Sequence, residues 1–180
     1  MAPGHRARHQ HRCGFPAVGV RSSSDAAGSR SGNHELDERN RVGPCRDRKD
    51  TAGTLRQEIL VDGRHRLVTD QPVGQGGEGA GPSPHELFPA ALAGCIAATL
   101  ARYGRTKGWD LGEIAVDVEY DHKATPRTFD IVVRVGAELE PEQWARLEKV
   151  AAACPLRRSI EAGFEFTTRF AAQPPTLRTA

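Results

Sequence analysis

Two cysteines carry most of the chemical information in this chain. Cys95 closes the segment Gly81-Pro-Ser-Pro-His-Glu-Leu-Phe-Pro-Ala-Ala-Leu-Ala-Gly-Cys95, and Cys154 lies in Ala151-Ala-Ala-Cys154-Pro-Leu-Arg-Arg-Ser-Ile160. Each sits on an apolar stripe at helical spacing. A free cysteine is often only a small buried hydrophobe. A reactive one needs a cation or a helix N-terminus near its sulfur, because the thiolate is the nucleophile. Cys154 is followed by Pro155, which suits a helix start, and by the dibasic pair Arg157-Arg158. Amides of that new helical turn would point toward the Cys154 sulfur. Two such thiols together suit peroxide reduction. One attacks a peroxide oxygen as thiolate and becomes a sulfenic acid; the other condenses with it to a disulfide. The two Cα atoms must then come within about 7 Å.

The elements that have to position these thiols are legible. Thr54-Leu-Arg-Gln-Glu-Ile-Leu-Val61 is strand-like, Asp62-Gly63 signals a hairpin turn, and Arg64-His-Arg-Leu-Val-Thr69 is the return strand. A loop rich in glycine, from Gly74 to Gly81, leads to a helix. Ser83 is its expected N-cap, Pro84 its first residue, Glu86 the partner in a Ser-x-x-Glu capping box, and Gly108 its stop. Leu87, Ala91, Cys95 and Thr99 form one stripe, beside a second of Phe88, Leu92, Ile96, Leu100 and Tyr103. Pro89 falls in the first turns, where a lost amide costs less, and Gly104 is expected to loosen the last turn.

Strands with period-two alternation follow at Ile114–Tyr120 and Phe129–Val135, an expected antiparallel hairpin. Pro141 opens a second helix with Trp144, Leu147, Val150, Ala151 and Cys154 inward. Pro155 starts a short helical turn through Ile160, Gly163 ends it, and Phe164–Phe170 is expected as a final strand.

Composition bounds the setting. The chain has 180 residues and a net charge of +2. Residues 1–50 carry ten Lys/Arg against six Asp/Glu, so the remainder is mildly acidic, with fifteen against seventeen. No nucleic-acid groove is expected from that balance. No apolar run reaches the roughly 18 residues needed to span a bilayer, so no membrane partner is expected either. Four cysteines are too few for a disulfide scaffold and point to a reducing cytoplasm. Residues 1–50, poor in large apolar side chains, are expected to be a disordered extension. The domain is expected over 51–171, with a loose tail at 172–180.

Other candidate ligands are weaker. His65, His85 and a thiol could hold zinc, but no ligand spacing of that type occurs, so no metal or cofactor is expected. Cys13 and Cys45 are read as incidental, and the basic cluster from His5 to Arg12 as solvated.

The segment Gly81–Leu100, its continuation Arg102-Tyr-Gly-Arg-Thr-Lys-Gly-Trp109, and Cys154-Pro-Leu-Arg-Arg-Ser-Ile160 resemble the two cysteine motifs of the OsmC/Ohr family. Gly63–Pro72 resembles the upstream hairpin of its OsmC-like branch, and the likeness runs from about Thr54 to Phe170. The resemblance implies an α+β fold, antiparallel sheets wrapped around two central helices in an intertwined homodimer. It implies a thiol peroxidase acting on organic hydroperoxides, with Cys95 peroxidatic, Cys154 resolving, and a lipoyl-type or thioredoxin-like dithiol as reductant. The peroxidase branch carries a Glu directly after the motif's proline, paired with an Arg from the N-terminal hairpin. His85 stands at that position here and Glu86 one residue later, a turn of about 100° around a helix. Glu86 is therefore either the assisting acid or only a capping partner. Arg56 is the first candidate for the arginine, followed by Arg64 and Arg66. A low-turnover redox sensor and a small-ligand binding module remain the rival readings.

Overall fold

The computed structural model describes residues 53–170, together with the backbone of 18–22 and 45–49. Its elements run β1 (Val18–Ser22), β2 (Cys45–Lys49), β3 (Gln57–Val61), β4 (His65–Thr69), α1 (Pro84–Lys107), β5 (Ile114–Asp121), β6 (Thr128–Val135), α2 (Pro141–Ala152) and α3 (Pro155–Ala162). They form two antiparallel three-stranded sheets, ordered β1-β5-β6 and β2-β3-β4.

The hairpin β3–β4 leaves Asp62, Gly63 and Arg64 between the paired Val61 and His65; Asp62 and Gly63, both at positive φ (51° and 66°), are the central residues of the turn that the Arg64 N–H closes onto the Val61 carbonyl (3.1 Å). β5 and β6 pair with Ile114 opposite Val135 and Tyr120 opposite Phe129. The alternation of β5 sends Ile114, Val116 and Val118 to one face, where all three are buried. That face receives α1, whose Leu92, Ala93, Ile96, Ala97 and Leu100 complete the core with Leu111, Leu147 and Cys154. Each large aliphatic side chain withdrawn from water here contributes about 1.5–3 kcal/mol. By length and composition α1 is apolar enough to cross a membrane, which the alanines of 90–101 bring about and a search for unbroken large hydrophobes overlooks. In this fold it is the core helix.

The ends of α1 follow the signals in its sequence. Ser83 is the N-cap, with a reciprocal capping box to Glu86, and Gly108 closes the helix in the left-handed conformation. Gly104 differs from expectation: it is buried, and a Cβ there would stand 2.7 Å from the Leu111 side chain. It admits Leu111 to the core rather than loosening the helix.

Two further expectations require correction. Within residues 1–50, expected to be disordered, β1 pairs with β5 and β2 pairs with β3. The open edges of β5 and β3 offer unpaired backbone groups, and these recruit strands whose own apolar content is low. Residues 164–170, expected as a strand, have no regular secondary structure and pair with no strand among the described residues. Phe166 and Phe170 are 88% and 98% exposed; period-two alternation is present, but a strand also needs an edge to join. Cys13 and the tail at 172–180 lie outside the described residues, and the incidental role read for Cys45 concerns a side chain that does as well.

Asp70 holds together the glycine loop that delivers α1. Its side chain is buried (1% exposed). One carboxylate oxygen accepts the Gln71 N–H (2.8 Å); the other accepts those of Glu78 (3.0 Å) and Ala80 (3.1 Å). Gly77 is needed at this crossing, since a Cβ would collide with the Gln71 carbonyl oxygen. The Ala80 N–H above all, helped by those of Glu78, Gln71 and Gly79, holds the Asp70 carboxyl below its ordinary 3.8 against the opposing effect of burial. The folded state thus binds this proton less readily than the unfolded chain. Its contribution to stability is full above 3.8 and is lost as the pH falls through the folded value. Urea midpoints measured over an acidic pH series should show this loss. Asp70→Asn should lower stability at neutral pH and flatten the acid dependence, because an amide NH2 would face N–H donors.

Candidate active site

The two distant cysteines meet where α1 passes the α2–α3 junction. Cys95 lies in the fourth turn of α1, one position off the stripe that faces β5, and is half-buried. The chain leaves α2, and Cys154 becomes the N-cap residue of α3 with Pro155 in the first turn. The Cys154 carbonyl accepts the Arg158 N–H at 3.0 Å, which anchors the start of α3. Cys154 is wholly buried.

The Sγ atoms of Cys95 and Cys154 are 3.1 Å apart, both thiols free. A disulfide requires about 2.05 Å, so about 1 Å of side-chain movement would join them. Burial is the main influence that pushes the Cys95 thiol above its ordinary value, and the neighbouring Cys154 sulfur adds to it. The Leu156 backbone N–H acts in the opposite direction. It belongs to the first turn of α3, where amides without helical partners favour negative charge. Thr99, one turn beyond Cys95, also favours the thiolate and donates its hydroxyl to the Cys95 carbonyl at 2.8 Å. The net effect disfavours the Cys95 thiolate, while the short Sγ–Sγ distance lets an oxidised sulfur on Cys95 pass directly to Cys154.

The other candidates lie elsewhere. Glu86 uses one carboxylate oxygen to accept the Ser83 N–H (2.7 Å) and hydroxyl (2.8 Å). Nine residues of helix rise separate it from Cys95, about 14 Å along the axis. It serves the cap. Arg56 is exposed. Arg64 pairs with Asp62 (2.6 Å), and Arg66 lies 3.7 Å from Glu58 on the exposed side of its hairpin. None of these arginines is among the groups that shift the Cys95 thiol. Arg157, beside Cys154 in sequence, is paired with Glu161 at 2.8 Å. His65 is exposed on β4. His85 lies beside His122, the rings tilted and their centroids 5.0 Å apart, next to the cluster of Phe88, Tyr120 and Phe129. Among the described residues no group of three or more His, Cys, Asp or Glu stands close enough to hold a metal ion.

Two contributors escape sequence reasoning. The Leu156 amide acts on a residue 61 positions earlier, which only the tertiary fold brings about. Thr99 has a local signal, its i,i+4 spacing from Cys95 on one helix face.

Two clefts open beside α1. One, of about 390 Å³, is lined by Leu92, Phe129, Ile131, Ile160 and the Arg157–Glu161 pair. The other, of about 690 Å³, runs between α1 and α2 and is lined by Thr99, Arg102, Tyr103, Thr106, Arg146 and Lys149 together with the apolar Val150, Ala153 and Pro155.

Fold and site together define a mixed α/β protein, its sheets antiparallel, with a free dithiol held between its core helix and the start of a short one. Residues 76–169, just over half of the chain, match the family described as OsmC-like protein, and the chain belongs to that family. No curated protein matches it. Among solved structures, it is similar to a protein of Psychrobacter arcticus named for osmotic stress induction and detoxification response. They share 23% identity, 63% of this chain and 85% of that one are covered, and the TM-score is 0.55. An OsmC-like protein from Mycoplasma pneumoniae is 14% identical over 68% of this chain and 89% of that one, with a TM-score of 0.52. Likeness at these identities establishes the fold.

Proposed function

We propose that this chain is a thiol-dependent peroxidase that reduces organic hydroperoxides through Cys95 and Cys154. The observation that carries the reading is the 3.1 Å approach of two free sulfurs beside the first-turn amide of Leu156. The Cys95 thiolate attacks the terminal oxygen of R–OOH, and the O–O bond breaks. Cys95 becomes a sulfenic acid, and RO⁻ takes up a proton and leaves as ROH. The Cys154 thiolate then attacks the sulfenic sulfur, forms the disulfide and expels hydroxide, which leaves as water after protonation. The cleft lined by Leu92, Phe129, Ile131 and Ile160 together with Arg157 and Glu161 has an apolar wall that suits the organic part of the hydroperoxide. A dithiol restores the pair. Such a cycle fits a reducing compartment, the cytoplasm.

We also propose that the working form is a homodimer in which a second copy covers Phe164, Phe166 and Phe170, exposed here by 57%, 88% and 98%. Three aromatic rings left in water on one short segment favour association, and a second copy would bring an arginine to Cys95, whose shift no arginine among the described residues causes.

The second reading is a redox sensor with low turnover. What favours it is the Cys95 thiol held above its ordinary value together with a Glu86 committed to the helix cap. Hydroperoxide consumption in excess dithiothreitol separates the two. The peroxidase reading expects many turnovers per chain; consumption that stops after one equivalent overturns it in favour of the sensor.

A further inference from the structure

The smaller cleft carries an ion pair that its own helix disfavours. Arg157 stands in the first turn of α3 and Glu161 in the last, and the Arg157 Nε–H donates to a Glu161 carboxylate oxygen at 2.8 Å. A helix N-terminus favours negative charge and a C-terminus positive charge, so each residue stands at the wrong end. Their order is also the weaker one, since an acid four residues ahead of a cation is preferred to the reverse. The side chains are 39% and 55% exposed, and a pair so open to water adds little to stability. α3 has no acid in its first turn and no base in its last to offset the arrangement. A pattern that runs against local preference without a gain in stability points to a functional position.

The pair's place in the cleft supplies that function. Leu92, Phe129, Ile131 and Ile160 form the apolar wall, and Arg157 and Glu161 are the charged groups of the lining. Leu92 precedes Cys95 by three residues on α1, and Arg157 follows Cys154 by three, so each cysteine has a residue of the cleft one helical turn away. Within the lining the two charges cancel. An entering carboxylate finds no cation left over. It would have to give up water, displace Glu161 from Arg157 and then lie beside the displaced negative charge. An uncharged molecule meets none of these costs and still gains the apolar wall. We propose that Glu161 is a specificity-determining residue: by occupying Arg157 it reserves the cleft for uncharged organic hydroperoxides and turns away those that carry a carboxylate. The inference rests on the peroxidase reading above, with this cleft as the seat of the organic group. Selection here works through repulsion as much as through attraction. It also explains why the pair is retained on a helix that it does not stabilise.

Cumene hydroperoxide and its para-carboxylate derivative provide the test, since they share the reacting group and the ring and differ by one charge. With dithiothreitol in excess, the wild-type kcat/KM for the carboxylate should be lower by on the order of tenfold, the low end of what two like charges near contact produce at a protein surface. The difference should lie chiefly in KM and should narrow as salt is added. Glu161→Gln frees Arg157 and should bring the ratio of the two kcat/KM values to one or reverse it. Glu161→Asp keeps the charge and should keep the preference. Arg157→Gln leaves Glu161 unpaired and should widen the gap. Equal kcat/KM values in the wild type overturn the proposal while the peroxidase reading stands. So does a Glu161→Gln variant that moves both values by the same factor, or one that loses thermal stability with the ratio unchanged. If neither hydroperoxide is consumed beyond one equivalent, the peroxidase reading and this one fall together.

Discussion

Cys95→Ser is expected to reduce hydroperoxide consumption to the rate of the uncatalysed mixture. The argument is chemical before it is structural. Attack on a peroxide oxygen needs a soft, ionisable nucleophile, and at neutral pH a serine hydroxyl supplies almost no anion. The substitution is also small. Cys95 is only half-buried at the edge of the core, so the fold should survive and circular dichroism should not change. The wild type adds a second signature. Burial raises the Cys95 thiol above its ordinary value, so little of it is thiolate near neutrality. Turnover should therefore climb as the pH is raised toward that value, and the variant should stay flat over the same range. Unchanged consumption in Cys95→Ser, with the fold intact, would remove Cys95 from the chemistry altogether.

What was legible in the sequence depended on whether a local rule could express it. The limits of α1 follow from Ser83, Glu86 and Gly108, which act within a few residues of themselves. The Asp62-Gly63 turn depends on two residues that tolerate positive φ. The β5–β6 pair is written in its own alternation. Association of Cys95 with Cys154 was within reach because each lies on the apolar side of its helix, and buried sides converge on one core. The misses have the opposite character. The sequence Cys-Arg-Asp-Arg-Lys of β2 contains no strand signal; the edge of β3, not its own composition, makes it a strand. Phe164–Phe170 shows the pattern of a strand and lacks a partner. Glu86 satisfied two roles on paper, and the two hydrogen bonds from Ser83 decide for the cap. The cleft cations come from helices some 40 residues apart, joined by Arg146 and Tyr103 across a separation of 43. No window along the chain displays them together.

Cys154→Ser should separate the first chemical step from the second. With one equivalent of cumene hydroperoxide and no added thiol, the wild type should lose both of these thiols and gain no oxygen, since the sulfenic oxygen departs as water. The variant should retain that oxygen on Cys95, visible as an added oxygen atom in the intact mass and as a dimedone adduct. The distance is what makes the contrast sharp. A sulfenic acid formed 3.1 Å from a second thiol is resolved before it can be trapped; beside a hydroxyl it has no partner. Serine at this site also brings a cost to the fold, because Cys154 is wholly buried in the apolar cluster with Leu92, Leu100 and Leu147. A buried hydroxyl without a full partner costs about 1–3 kcal/mol, and the Cys95 sulfur is only a weak acceptor. Cys154→Ala avoids that penalty and should trap the same adduct. If neither variant accumulates an oxidised Cys95, and both still cycle with dithiol at the wild-type rate, Cys154 is a packing residue and the second thiol of the cycle lies elsewhere.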